Sequence, residues 1–277
     1  MNIWCKNIFP QHLLSRLVGF FASRRLGLIS YCWIRWFIKH YDVNLEEMEA
    51  DLNTFKSFNA FFTRKLKSLA RPVTTDPKAI AAPADGCIVE IGQIQAGQLL
   101  QAKNKLYSLR NLVLDEKLEQ KFQEGSFLTA YLSPKDYHRV HMPLAGELKE
   151  MRYVPGRLFP VNSHAVQSIP HLFTQNERVI TTFSTEAGWM TVIFVGALIV
   201  GGIEMAWASR LNSPLHHQTE PWIFDNESIV LNKGEEVGHF RLGSTVIILF
   251  EKNRITWDFA LKANSSLKMG QKVGSIL

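Results

Sequence analysis

The chain has 277 residues, 46% of them hydrophobic and 20% charged, which excludes a disordered polymer and allows one large domain or a core with a small appendage. Lys and Arg outnumber Asp and Glu by 31 to 25, and the excess is local: Lys6, Arg16, Arg24, Arg25, Arg35 and Lys39 all precede the first acidic residue, Asp42. The three cysteines, Cys5, Cys32 and Cys87, form no CxxC pair or even-numbered framework, which argues for reduced thiols in a protein facing the cytosol.

Leu13, Leu17 and Phe21 recur four apart, as do Leu14 and Val18, and a second set follows at Ile29, Trp33 and Phe37 beside Ile34 and Ile38. These are helical periods with cations between them. Nucleic acid and anionic lipid both suit a basic segment. Trp33, Trp36, Phe20, Phe21 and Phe37 among the cations favour amphipathic helices at a membrane interface. Helices packed on a core are the competing reading. Arginines interrupt every stretch that approaches about 20 apolar residues, so no transmembrane helix is expected. The broken apolar run also makes a poor signal peptide.

Asp42 to Asp51 is acidic and reads as a helix or helical connection. Ser57 is placed to cap a short helix carrying Phe58, Phe61 and Phe62, followed by Arg64, Lys65 and Lys67. Arg71 to Pro77 reads as a linker, so an N-terminal helical region over 1–70 is expected to precede a β-rich domain over 71–277. From Ile80 onward the pattern becomes short β-like runs with Gly and Pro punctuation. Pro83-Ala84-Asp85-Gly86 is echoed by Pro143-Leu144-Ala145-Gly146, each followed by a strand. That punctuation occurs in barrel-sandwich folds, but the modified-lysine tripeptides of lipoyl and biotinyl carriers are absent. The expected class is α+β with a β-rich core of barrel-sandwich character. Trp189 to Ile203 is apolar, short for a bilayer and split by glycines, and reads as two buried strands joined at or near Gly196-Ala197.

Four places could carry chemistry. His138 and His141 lie three apart in Tyr-His-Arg-Val-His-Met-Pro. One of them as a general base competes with a plain exposed or hydrogen-bonded role, and no His-Glu-x-x-His cluster supports a metal. Asp85 sits in an Asp-Gly turn signal and could orient a histidine; Asp136 is its rival. His216-His217 reads as a polar loop. Near the C-terminus Leu242-Gly243-Ser244-Thr245 opens the apolar run Val246-Ile247-Ile248-Leu249-Phe250. Glycine leaves its carbonyl unshielded next to the Ser244 hydroxyl, at the mouth of a buried strand.

Leu242 to Thr245, Pro83 to Gly86 and Tyr137 to Pro143 together resemble phosphatidylserine decarboxylases of the bacterial membrane-associated type. Phe58 to Arg64, Gly156 to Asn162, Asn176 to Val179, Val195 to Ala197 and Lys233 to Phe240 match in the same order. The resemblance implies a precursor in which Asp85, His141 and Ser244 form a charge relay for self-cleavage between Gly243 and Ser244. The products would be a large chain of residues 1–243 and a small chain of 244–277 whose first residue is a pyruvoyl group derived from Ser244. The implied partners are phosphatidylserine, an anionic membrane surface and the sister chain, with a higher oligomer left open and no nucleic acid. The implied reaction is decarboxylation through a Schiff base on the pyruvoyl group, with His138 positioning the carboxylate or delivering the proton. The implied location is the cytoplasmic face of the cell membrane, as a peripheral protein. A pyruvoyl decarboxylase of a soluble amino acid and a Ser-His-Asp hydrolase are the alternatives; no Gly-x-Ser-x-Gly elbow supports the second.

Overall fold

Ser-Thr-Val-Ile-Ile-Leu-Phe, residues 244 to 250, forms a strand in which every residue is buried. The β-branched and apolar side chains suit a sheet interior covered on both faces. The computed structural model describes residues 11–102, 105–197, 202–207, 221–224, 228–241 and 244–277. Within them the helices are α1 (Gln11–Ser23), α2 (Leu28–Tyr41), α3 (Phe58–Phe62), α4 (Leu109–Val113), α5 (Glu116–Phe122), α6 (Ser163–Ser168) and α7 (Leu172–Gln175). The first strands are β1 (Ala79–Ala81), β2 (Gly86–Gln93), β3 (Gln98–Ala102), β4 (Lys105–Ser108), β5 (Ser126–Leu132) and β6 (Arg139–His141). Next come β7 (Gly146–Val154), β8 (Arg178–Thr185), β9 (Gly188–Val195), β10 (Ile203–Met205), β11 (Trp222–Ile223) and β12 (Val230–Leu231). The last are β13 (Glu236–Phe240), β14 (Ser244–Phe250), β15 (Ile255–Trp257), β16 (Ser266–Leu267) and β17 (Lys272–Ile276). The class is α+β, dominated by sheet.

A nine-stranded antiparallel sheet runs β11-β7-β8-β9-β14-β5-β2-β16, with β12 also on β7, and its path does not close. β14 lies inside it, paired with β5 and β9; Ser244 faces Leu132, and Thr245 faces Tyr131 and Val195. Alternation along β14 divides its side chains between two cores. Val246, Ile248 and Phe250 join the core formed with strands β6, β10, β13, β1, β15 and β17. Ile247 and Leu249 join the core under the β3-β4 hairpin and α4 to α7. Full burial of each such side chain stabilises by about 1.5–3 kcal/mol.

The N-terminal helices build a third core of Ala22, Ile34, Phe37, Val43, Met48, Phe58, Phe61 and Phe62. Ser57 caps α3, its hydroxyl accepting from the Ala60 amide at 3.2 Å. The Phe37 ring lies edge-on to Phe58, Phe61 and Phe62, with centroids 5.0, 6.3 and 6.0 Å away. The acidic stretch from Asp42 to Asp51 is not helical. Asp42 adopts a left-handed conformation that ends α2, and Met48 makes a β-bridge to Leu66. Burial of Val43 and Met48 in the aromatic core outweighs the helical tendency of the charged residues between them. The Trp189–Ile203 segment does leave its first strand at Val195, and Ile203 opens a strand of another sheet; residues 198–201 lie outside the described set. Among the described residues no helix is long and apolar enough to cross a membrane.

The turn carrying Asp85 depends on a close approach. Gly86 has φ +148°, and a Cβ there would collide with the Tyr131 carbonyl of the neighbouring strand. Gly86→Ala is therefore expected to destabilise the protein by roughly 1–3 kcal/mol, read from the urea midpoint; an unchanged midpoint would show that β2 can shift away.

Candidate functional site

Asp85 is buried, and its carboxylate is fully engaged. Arg71 donates to it from Nε at 2.8 and 3.0 Å and from Nη2 at 2.5 Å, and the Met269 amide donates at 2.9 Å. Arg71 Nη2 also reaches Glu47 Oε2 at 2.8 Å. The Arg71 hydrogen bond, followed by the charges of Arg71, Lys268 and Arg64, holds the Glu47 carboxyl below the usual range against the opposing effect of burial.

His141 belongs to β6, and its backbone amide donates to Pro83 O at 2.8 Å, which fixes the Asp85 turn alongside it. Its ring Nδ1 lies 2.8 Å from the Gly234 carbonyl and its Nε2 3.2 Å from the Tyr137 hydroxyl. A carbonyl only accepts, so the proton is on Nδ1 and Nε2 accepts from Tyr137. Burial lowers the His141 pKa; the Gly234 carbonyl and the charges of Glu236 and Asp85 oppose the shift.

Ser244 is fully buried, and its Oγ has no hydrogen-bond partner among the described residues. By alternation it shares the sheet face of Val246, Ile248 and Phe250. Of the proposed relay, Asp85 and His141 are neighbours through the backbone, yet no hydrogen bond joins Asp85 to His141 or His141 to Ser244. Gly243, the other half of the expected cleavage site, and His216-His217 lie outside the described residues.

β5 ends opposite Ser244 and leads into a turn in which Asp136 Oδ2 accepts from both the amide and the hydroxyl of Ser133, each at 2.7 Å. Asp136 is thus a turn cap rather than a side-chain partner for a histidine. Its carbonyl takes the Nδ1 proton of His138 at 2.8 Å. His138 is fully buried, its ring centroid 4.1 Å from that of Phe62, and its Nε2 has no partner among the described residues. Burial, reinforced by the charge of Arg64, pushes its pKa down to about 3. The imidazole is neutral at neutral pH, with Nε2 an acceptor.

The sequence has known relatives. A model of the phosphatidylserine decarboxylase family matches residues 58–275, and a second model, described as PSD, matches residues 1–42. The chain belongs to the phosphatidylserine decarboxylase family. It is similar to proteins named phosphatidylserine decarboxylase proenzyme from Vibrio cholerae (47% identical, covering 95% of this chain and 94% of the relative). Similar too are those from Ectopseudomonas mendocina (48%, 97% and 95%) and Coxiella burnetii (45%, 96% and 95%).

Three members of the site escape sequence reasoning. Arg64 and Arg71 are buried, although arginine is ordinarily a surface residue and both sit in a basic stretch that reads as a helix end and a linker. Tyr137 adjoins the histidines, but spacing alone does not reveal which ring nitrogen it holds. The state of His138 has a measurable consequence. Its folded pKa lies below the unfolded value near 6.5, so the unfolded chain binds the extra proton first and stability falls as pH drops from about 6.5 towards 3. On a Ser244→Ala background, the protein that keeps His138 is expected to lose roughly 1–2 kcal/mol more stability between pH 7 and pH 5 than the same protein carrying His138→Gln. Urea unfolding at the two pH values checks this, and parallel losses in both proteins would show that His138 titrates normally.

Proposed function

We propose that this chain is the proenzyme of a decarboxylase that converts phosphatidylserine to phosphatidylethanolamine and CO2, a carboxy-lyase of phospholipid biosynthesis, after cutting itself between Gly243 and Ser244. The observation that carries this reading is the Ser244 hydroxyl, buried and unpartnered at the head of the central strand of a chain of this family. A buried hydroxyl that donates to nothing is unfavourable for a serine kept as a serine. Self-cleavage removes that oxygen with Gly243, and the Cβ of the pyruvoyl group expected there is a methyl that needs no hydrogen-bond partner, so the buried surroundings fit it.

His141 keeps its ring proton on Nδ1 against Gly234, leaving Nε2 to take the Ser244 proton once the Tyr137 hydroxyl gives way. Asp85, paired with Arg71, adds negative charge beside the imidazolium that forms. Ser244 Oγ attacks the Gly243 carbonyl carbon, the peptide C–N bond breaks, and an ester replaces it. Loss of the Cα proton of residue 244 expels the Gly243 carboxylate and leaves dehydroalanine; water then releases ammonia. Once formed, the pyruvoyl group supplies the electron sink that loss of CO2 requires. His138 lies at the substrate, its Nε2 accepting a hydrogen from the headgroup and holding the proton that returns to carbon.

Residues 1–70 serve in this reading as a peripheral anchor on the cytoplasmic face of the cell membrane, and 71–277 as the catalytic domain. Leu17, Phe20, Phe21, Leu28, Ile29 and Trp36 are exposed on α1 and α2, close in sequence to the exposed Arg24, Arg25, Arg35 and Lys39. Apolar groups flanked by cations suit the interface of an anionic bilayer. Barrel-sandwich character is supported by the two echoed turns, which bond to each other from Ala81 N to Pro143 O (3.0 Å) and from His141 N to Pro83 O (2.8 Å). No observation favours a soluble amino acid substrate or a hydrolase.

Wild-type protein should resolve by intact mass into chains 1–243 and 244–277, the second carrying a carbonyl-reactive N-terminus, while Ser244→Ala stays whole; a split Ser244→Ala chain would refute the mechanism. Replacing Phe20, Phe21 and Trp36 together by Ser should weaken binding to phosphatidylserine vesicles by roughly tenfold or more without slowing self-cleavage. Equal vesicle binding would remove the membrane role from these helices.

A further inference from the structure

Arg64 follows α3 and is buried to 4% exposure, yet its Nε and Nη1 have no partner among the described residues. Nη2 donates to the Lys135 carbonyl at 3.0 Å. The guanidinium lies 5.2 Å from the Phe61 ring, and no carboxylate forms an ion pair with it among the described residues. The charges of Asp85, Asp136 and Glu47 act on it only from a distance, and burial still brings its pKa down to about 10. A cation withdrawn from water without a counter-ion is unfavourable in the absence of a bound anion.

A second orphan stands beside it. His138 Nε2 is buried and unpartnered, and its ring is held by the Asp136 carbonyl, adjacent in the chain to the Lys135 carbonyl that holds Arg64. Their shared turn continues from β5, whose last residue, Leu132, faces Ser244. Two side chains with unmet hydrogen-bonding capacity, one from the helical region and one from just before β6, are therefore held by carbonyls of one turn beside the head of the central strand. The same place is the joint with the lipid-facing helices: Phe37 of α2 packs on Phe62, and Phe62 packs on His138.

We propose that Arg64 is the binding residue for an oxyanion of the substrate, specifically the headgroup phosphodiester. This rests on the decarboxylase reading above and extends it. The substrate offers two anions, phosphodiester and carboxylate. A buried cation against the carboxylate would stabilise the charge that has to leave as CO2 and oppose the reaction. The phosphodiester keeps its charge from substrate to product, so pairing it with Arg64 anchors the headgroup at no expense to the chemical step. Arginine suits that task because its planar donors match phosphate oxygens.

The test uses self-cleaved protein and dihexanoyl phosphatidylserine. Arg64→Gln should self-cleave as wild type does, raise KM by roughly tenfold or more with little change in kcat, and Arg64→Lys should recover part of the loss. Dihexanoyl phosphatidylethanolamine, which has the phosphodiester without the carboxylate, should compete in the wild type and lose that ability in Arg64→Gln, while free serine competes in neither. An unchanged KM, or equal competition in both proteins, overturns the proposal and leaves Arg64 with a structural role served by buried water. Competition by serine that depends on Arg64 overturns it in favour of the carboxylate. Should Arg64→Gln fail to self-cleave, Arg64→Lys carries the same comparison. A wild type that self-cleaves without decarboxylating phosphatidylserine defeats the parent reading instead.

Discussion

Complete burial of β14 between two partner strands is the constraint on which the molecule depends. A strand paired along both edges and covered on both faces has nowhere to move. Its first residue is consequently a fixed point, and Ser244 is held by the sheet rather than by contacts of its own side chain. The groups around it are placed by reference to the same sheet. The turn after β5 brings His138, and the Pro83 carbonyl ties the Asp85 turn to β6. The position of Ser244 relative to these groups is thus inherited from strand register.

What could be read from the sequence followed from local rules. The apolar run after Ser244 announces a buried strand, Ser57 announces a helix cap, and Asp85-Gly86 announces a turn; each is a statement about near neighbours. The misread parts depend on distant ones. Arg71 looks like a linker residue until Asp85, Glu47 and the Met269 amide are seen to converge on one buried ion pair. Asp85 and His141 are neighbours through the backbone, but the carboxylate is turned to Arg71 and the imidazole to Gly234 and Tyr137. No spacing rule separates a histidine held by a carboxylate from one held by a carbonyl. The acidic stretch after Asp42 misleads for the same reason, because Val43 and Met48 answer to an aromatic core assembled from two other segments.

Polar contacts to backbone carbonyls join the helical region to the sheets. Arg139 donates to Thr63 O at 3.1 and 2.8 Å while holding Glu236 at 2.6 Å, and Arg64 takes Lys135 O from the opposite direction. A guanidinium reaching across a joint to a carbonyl fixes orientation more than it adds stability, since both groups were well solvated before folding. The helices bearing the exposed aromatic residues are therefore registered against the turn that carries His138.

The segment from residue 244 onward supplies β14 to the interior of the large sheet, β16 to its edge, and β15 and β17 to the sheet with β1. A break before Ser244 alters the molecularity of folding. The intact chain reaches this arrangement by a first-order process, because the segment is tethered at high effective concentration. After the break the same strands could return only by a bimolecular encounter, and into the middle of a sheet already formed. If the chain is cut there, folding must precede the cut, and the cut protein would persist through the slowness of its unfolding rather than through an equilibrium it can re-enter.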